Sequence, residues 1–150
     1  MSTADIYNYI KVNPHLVTGG QPTDDQIRCA AAEGFVTVIN LATYNPRYSL
    51  ENEAGLVQSL GMIYHHIPVD WENPTTDDLN KFSDIMDKHQ HEKILVHCQA
   101  NYRASSFIML YRVHRLGWKK EDAIPVMERM WNPEDFPVWQ KFIEANLPLE

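Results

Sequence analysis

At 150 residues and 44% apolar composition, the chain fits one domain, residues 1–150, around a single core. Its net charge of −7 excludes a general nucleic-acid or anionic-membrane surface, so an anionic ligand would need a locally positive pocket. There is no charged-then-apolar leader, no apolar run near the ~18 residues of a membrane helix, and no thiol besides Cys29 and Cys98. The expectation is a reduced, cytoplasmic protein without a disulfide framework.

In chain order, Ile6, Tyr7, Tyr9, Ile10 and Val12 suggest a short helix or turn over residues 1–12. His15 to Thr18 reads as a first strand, closed by Gly19-Gly20-Gln21-Pro22. Thr23 and Gln26 have the spacing of a capping box. They predict a helix to about Glu33, with Gly34 as its C′ residue. Cys29, beside three alanines on that helix, reads as a small packed side chain. Thr37 to Leu41 is β-branched and apolar, a second buried strand. Tyr44 to Ser49 is a polar loop, and Ser49 caps a predicted helix from Leu50 to Leu60. Met62 to Val69 is a third strand, with Ile63, His65 and Ile67 on one face and Pro68 marking an unpaired end or edge. Asp70 to Pro74 is a loop, after which Thr75 or Thr76 caps a helix to about Lys88. Lys93 to His97 is the fourth strand.

Further helices are predicted over Arg103–Leu116, ended by Gly117, and over Lys120–Met130, with Pro125 in the first turns or at a kink. One turn follows at Asn132-Pro133, then a last helix from Pro137 to Asn146. Met127, Met130, Trp131 and Trp139 read as C-terminal core. Strands alternating with helices predict an α/β fold: a central, mostly parallel sheet of four to five strands flanked by helices. A site would lie at the carboxyl ends of the strands, where the Gly19, Thr43, Asp70 and Cys98 loops converge.

The chemistry concentrates between Lys93 and Ser106. An apolar strand ends at His97, and a helix with Phe107, Leu110 and Tyr111 on one face begins near Arg103. The N–H groups at that helix start form an anion site, and the same field favours a thiolate at Cys98. Arg103 is the one cation between Lys93 and Arg112, and its planar fork suits phosphate. His65-His66 and His89/His91 lack further ligands at metal-site spacing, so no metal is expected.

His97-Cys98 closing a strand, followed by a loop, Arg103 and Ser105, resembles the signature of cysteine-dependent protein tyrosine and dual-specificity phosphatases. That signature is His-Cys, five residues, Arg, then Ser or Thr. Asn101 stands where the family usually has Gly; Asn is the next residue most tolerant of positive φ. Arg103 lies five positions after Cys98 rather than six; the sixth is Ala104, with Ser105 in place of the usual hydroxyl. Either the loop is one residue shorter, or it keeps its length with the Arg moved by one. In loop length and N-terminal half the chain is similar to a bacterial phosphatase-like family, related to a domain fused to β-lactamase-like hydrolases.

The resemblance implies a phosphatase-like fold and hydrolysis of phosphate monoesters. Cys98 would attack phosphorus, and Arg103 with the N–H groups of Gln99, Ala100, Asn101, Tyr102 and Arg103 would hold the oxygens. Asp70, or next Glu72, would protonate the leaving group. His97 would fix the loop, Ser105 would bond the thiolate or cap the helix, and Gln21, Tyr44 and Arg47 would rim the pocket. The implied partner is a phosphorylated small molecule or phosphoprotein, with phosphate or sulfate in the loop. No metal, organic cofactor, nucleic acid or membrane is implied. A Cys-x4-Arg loop also resembles that of rhodanese sulfurtransferases, in which Cys98 would carry a persulfide. A non-catalytic phosphate-binding module is the third reading.

Overall fold

The structure is a computed structural model that describes residues 1–148. Five strands, β1 (Ile10–Asn13), β2 (Leu16–Gly19), β3 (Thr37–Asn40), β4 (Ile63–His66) and β5 (Ile94–His97), form one sheet in the order β1-β2-β5-β3-β4. β1 runs antiparallel to β2, and every other pairing is parallel. β5 lies at the centre with all four residues buried, which is why Ile94-Leu95-Val96 is an unbroken apolar run. Ile94 and Val96 enter one core and Leu95 the opposite one, following the two-residue period of a strand.

Among the described residues six α-helices cover the sheet: α1 (Asp24–Ala32), α2 (Glu53–Ser59), α3 (Thr76–Lys88), α4 (Tyr102–Leu116), α5 (Lys120–Glu128) and α6 (Pro137–Asn146). Short 3-10 turns span Thr3–Asp5 and Pro133–Asp135. Ile27, Ala30 and Val57 of α1 and α2 pack on one face with Val38 and Leu95. Leu79 and Phe82 of α3, Phe107 and Leu110 of α4, Met127 of α5 and Trp139 of α6 form the larger core on the other. α4 is buried continuously from Arg103 to Arg112, so the helix that follows the cysteine loop is anchored along most of its length.

The capping chemistry forms as its spacing predicts. Thr23 and Gln26 close a reciprocal capping box, and Thr75 accepts the Asp78 N–H at 3.1 Å. Gly34 and Gly117 end their helices at φ 93° and 74°.

Three expectations change. Residues 1–12 hold a 3-10 turn and then β1, whose Ile10 is buried against the sheet. The helix expected from Leu50 starts at Glu53, because Asn52 Oδ1 accepts the Gly55 N–H at 3.0 Å. Ser49 Oγ instead accepts the Asn45 N–H inside the preceding loop. β4 stops at His66 and forms the sheet edge, which leaves Ile63 48% exposed although Ile67 is buried. Beyond it Ile67 and Val69 still donate to Asn40 and Leu41 carbonyls, and Pro68, with no N–H, falls between them.

Candidate active site

Gly19, Asn40 and His97 are paired across β2, β5 and β3, and β4 ends beside them at His66. The loops after these four strands therefore meet at one edge. Backbone bonds tie them: the Cys98 N–H donates to the Gly19 carbonyl at 3.2 Å, and the Leu41 N–H to the His97 carbonyl at 2.8 Å. Cys98 is 1% exposed.

The cysteine loop turns into α4 through Asn101, at φ 70° and ψ 7°. This is the left-handed region that Asn tolerates better than other side chains. The Asn101 amide does not face the anion cup. It donates to the Asn8 carbonyl at 2.8 Å and to Thr18 Oγ1 at 3.0 Å. Asn8 returns the contact, its amide donating to the Ala100 carbonyl at 2.9 Å. The N-terminal segment thus clamps the loop, and both N–H groups of the Asn101 amide are taken by these acceptors.

α4 begins at Tyr102, so Arg103 occupies the first helical turn and Ala104 is fully buried after it. This is the register of the shorter loop. The Arg103 side chain is buried and its Nη1 donates to the Val69 carbonyl at 2.9 Å. It therefore bridges the cysteine loop and the Asp70 loop. Ser105 Oγ donates back to the Tyr102 carbonyl at 3.2 Å inside α4; the N-cap position is Asn101, so this bond is neither a helix cap nor a contact to the thiol.

Asp70 is exposed, and its Oδ1 accepts the Glu72 N–H at 2.9 Å. Glu72 is exposed beside it. Trp71 anchors this loop. Its ring stacks on Trp139 at 5.2 Å between centroids and meets Tyr102, Trp131 and Phe136. Trp139 Nε1 donates to the Trp71 carbonyl at 2.8 Å. Tyr102 in turn lies parallel to Trp131 at 4.8 Å. The C-terminal aromatic group is core, as its composition predicts, and it also seats both site loops.

Behind the loop, His97 Nδ1 bonds the Cys98 carbonyl at 3.2 Å and Nε2 bonds Glu53 Oε2 at 2.6 Å. Gln21 Nε2 donates to Glu53 Oε1 at 2.8 Å, which turns the Gln21 amide inward. Burial pushes the Glu53 carboxyl up, but His97, through its charge and its hydrogen bond, and the donors from Gln21 and Tyr64 outweigh that and hold it below the usual range. Burial and the Glu53 charge push the Tyr64 phenol up. Arg47 shares an open cleft of about 660 Å³ with Tyr7, Gln21, Tyr48, Gln99 and Ala100. Tyr44 lines a separate hollow over Glu53 and Tyr64.

The structure brings Cys98, Arg103, the Asp70 loop, His97 and Gln21 together. Glu53, Asn8 and Tyr64 were not legible as site residues. An acid in the first turn of a helix is ordinary, and nothing in the spacing marks Glu53. His65 and His89 meet at 3.4 Å between their Nε2 atoms, with Glu92 on the other nitrogen of His89. Among the described residues no group of three or more potential metal ligands forms.

A family model described as a DSP-PTPase phosphatase fused to NAD+ kinase matches residues 4–140. Among curated proteins none matches the sequence. A DUF442 phosphatase-class protein of Shewanella putrefaciens CN-32 is 33% identical, with a TM-score of 0.84 over 96% of this chain and 94% of that one. TpbA of P. aeruginosa, solved with phosphotyrosine, is 15% identical with a TM-score of 0.71 over 97% of this chain and 86% of its own. PTPMT1, solved with PI(5)P, is 19% identical with a TM-score of 0.72 over 93% and 96%. The last two likenesses are of fold.

Proposed function

We propose that this chain, which belongs to the cysteine-dependent dual-specificity and protein tyrosine phosphatase family, hydrolyses phosphate monoesters through a phosphocysteine on Cys98. The observation that carries the reading is Arg103. It enters the first turn of α4, five positions after a buried cysteine, and reaches across to the carbonyl that precedes Asp70. One planar cation thereby joins the nucleophile loop to the loop of the candidate acid.

In this mechanism the Cys98 thiolate attacks phosphorus, and the bond from phosphorus to the leaving oxygen breaks. The loop N–H groups at the start of α4 and the Arg103 fork take up charge on the three other oxygens. Asp70 donates its proton to the leaving oxygen. A water then attacks the phosphocysteine, its proton passes to the Asp70 carboxylate, and the sulfur–phosphorus bond breaks to release phosphate and the thiolate. The cleft bearing Arg47, Tyr7 and Tyr48 receives the rest of the substrate. Relatives of the same fold hold phosphotyrosine and a phosphoinositide, and a phosphorylated protein or small molecule is the substrate class we assign. Two unpaired cysteines suit a reducing cytoplasm.

The test is turnover of an aryl phosphate beside turnover of thiosulfate plus cyanide, with wild type and Cys98→Ser. Release of phosphate by the wild type alone supports the reading. Thiocyanate formation without phosphate release would replace it by the persulfide carrier.

A further inference from the structure

Glu53 is a buried carboxylate outside the reacting loops, with 5% of its side chain exposed, against His97 with none. Both His97 nitrogens face acceptors, the Cys98 carbonyl and Glu53 Oε2. Glu53 also accepts the Gln21 amide on Oε1 at 2.8 Å, and Tyr64, whose hydroxyl accepts from Asn40 Nδ2 at 3.0 Å, lies in the same hollow. A carboxyl with an imidazole on one oxygen and an amide N–H on the other is favoured as the carboxylate. An imidazole between a carboxylate and a carbonyl satisfies both only with a proton on each nitrogen. The Cys98 carbonyl belongs to the same peptide unit as the Gln99 N–H. A charged donor on that carbonyl polarises the unit and makes its N–H a stronger donor to whatever the loop binds. Gln21 couples the loop after β2 to the arrangement, because its N–H donates to the Gln99 carbonyl at 3.0 Å while its side chain holds Glu53.

We propose that Glu53 is a positioning residue of the cysteine loop: it keeps His97 charged and oriented, and through the Cys98–Gln99 peptide strengthens the loop as an anion and thiolate site. The proposal rests on reading Cys98 as the reactive thiol. It assigns α2 a role that no loop motif carries. The titratable groups around it are His97 from β5 and Tyr64 from β4, with Tyr44, Glu51 and His66 lining the hollow that Glu53 shares.

Two measurements test it, and neither needs turnover, so the phosphatase reading and this one fail separately. Glu53→Gln keeps the shape and one acceptor but removes the charge. With an unchanged circular dichroism spectrum, its Cys98 should react with iodoacetamide about tenfold more slowly than wild type at pH 6 and equally fast at pH 9. Its Kd for vanadate should rise about tenfold. Equal rates at both pH values with unchanged vanadate binding would overturn the proposal. The wild-type protein carries the second test, which stands even if the variant does not fold. Nitrogen NMR of the His97 ring at pH 7 should show protons on both nitrogens. One bare nitrogen there would overturn the proposal equally.

Discussion

At the residue scale, the decisive contacts belong to Arg103 and Asp70. Arg103→Lys keeps the charge but loses the planar fork and the reach to the Val69 carbonyl. It should weaken vanadate binding and lower kcat/KM for an aryl phosphate by about a hundredfold, measured by titration and steady-state kinetics. Asp70→Asn should slow alkyl phosphates far more than nitrophenyl phosphate, since a good leaving group needs no proton. Equal losses, or none, would move the assignment to Glu72 or to no acid at all. Cys98, Arg103 and His97 stand out as candidates because their spacing matches a known chemistry, and the fold brings them to one loop. Asn101 was half legible. Its place predicts positive φ, and φ is 70°, but its amide is directed by Asn8, a residue 93 positions away that no local pattern connects to it.

At the scale of elements, the Asp70 loop and the start of α4 are seated on the same aromatic group. Trp139→Phe removes the donor to the Trp71 carbonyl and leaves a void in the core. It should cost about 2 kcal/mol in a urea melt. It should also reduce turnover of alkyl phosphates more than of aryl ones, because the acid loses its seat. Equal kinetic losses would show that the contact serves folding alone. Thr23→Ala removes the cap of α1 and should cost about 1 kcal/mol in the same melt. Helix ends marked by Thr, Gly and capping spacings were legible because the signal is local. β1 was not, since its short alternation of Ile10 and Val12 becomes a strand only when β2 lies beside it. The start of α2 was missed because Ser49 and Asn52 both offer a cap, and the Asn45 turn occupies the first of them.

At the scale of the whole molecule, the sheet order puts β5 between β2 and β3 and so gathers four loops at one edge of a protein with a net charge of −7. Alternating strands and helices made that architecture readable; the Glu53–His97 pair inside it was not, because burial of an acid is a property of the assembled fold. The pair also makes stability depend on pH. The Glu53 carboxyl lies below its ordinary value in the folded state, so the unfolded chain binds more protons as pH falls. The stabilisation is complete above the unfolded value of about 4.3 and is lost as pH falls through the lower folded value. Urea midpoints should drop across that acid range in wild type and drop less in Glu53→Gln.

The central claim is that a phosphoryl group passes through Cys98. Acid quenching during turnover of an aryl phosphate, followed by mass spectrometry of the peptide holding Cys98, tests it most directly. Wild type should carry a phosphoryl group on Cys98, accumulating further in Asp70→Asn because Asp70 also takes the water's proton, and Cys98→Ser should carry none. Steady release of phosphate with an unmodified Cys98, or with Cys98→Ser equally active, would contradict it.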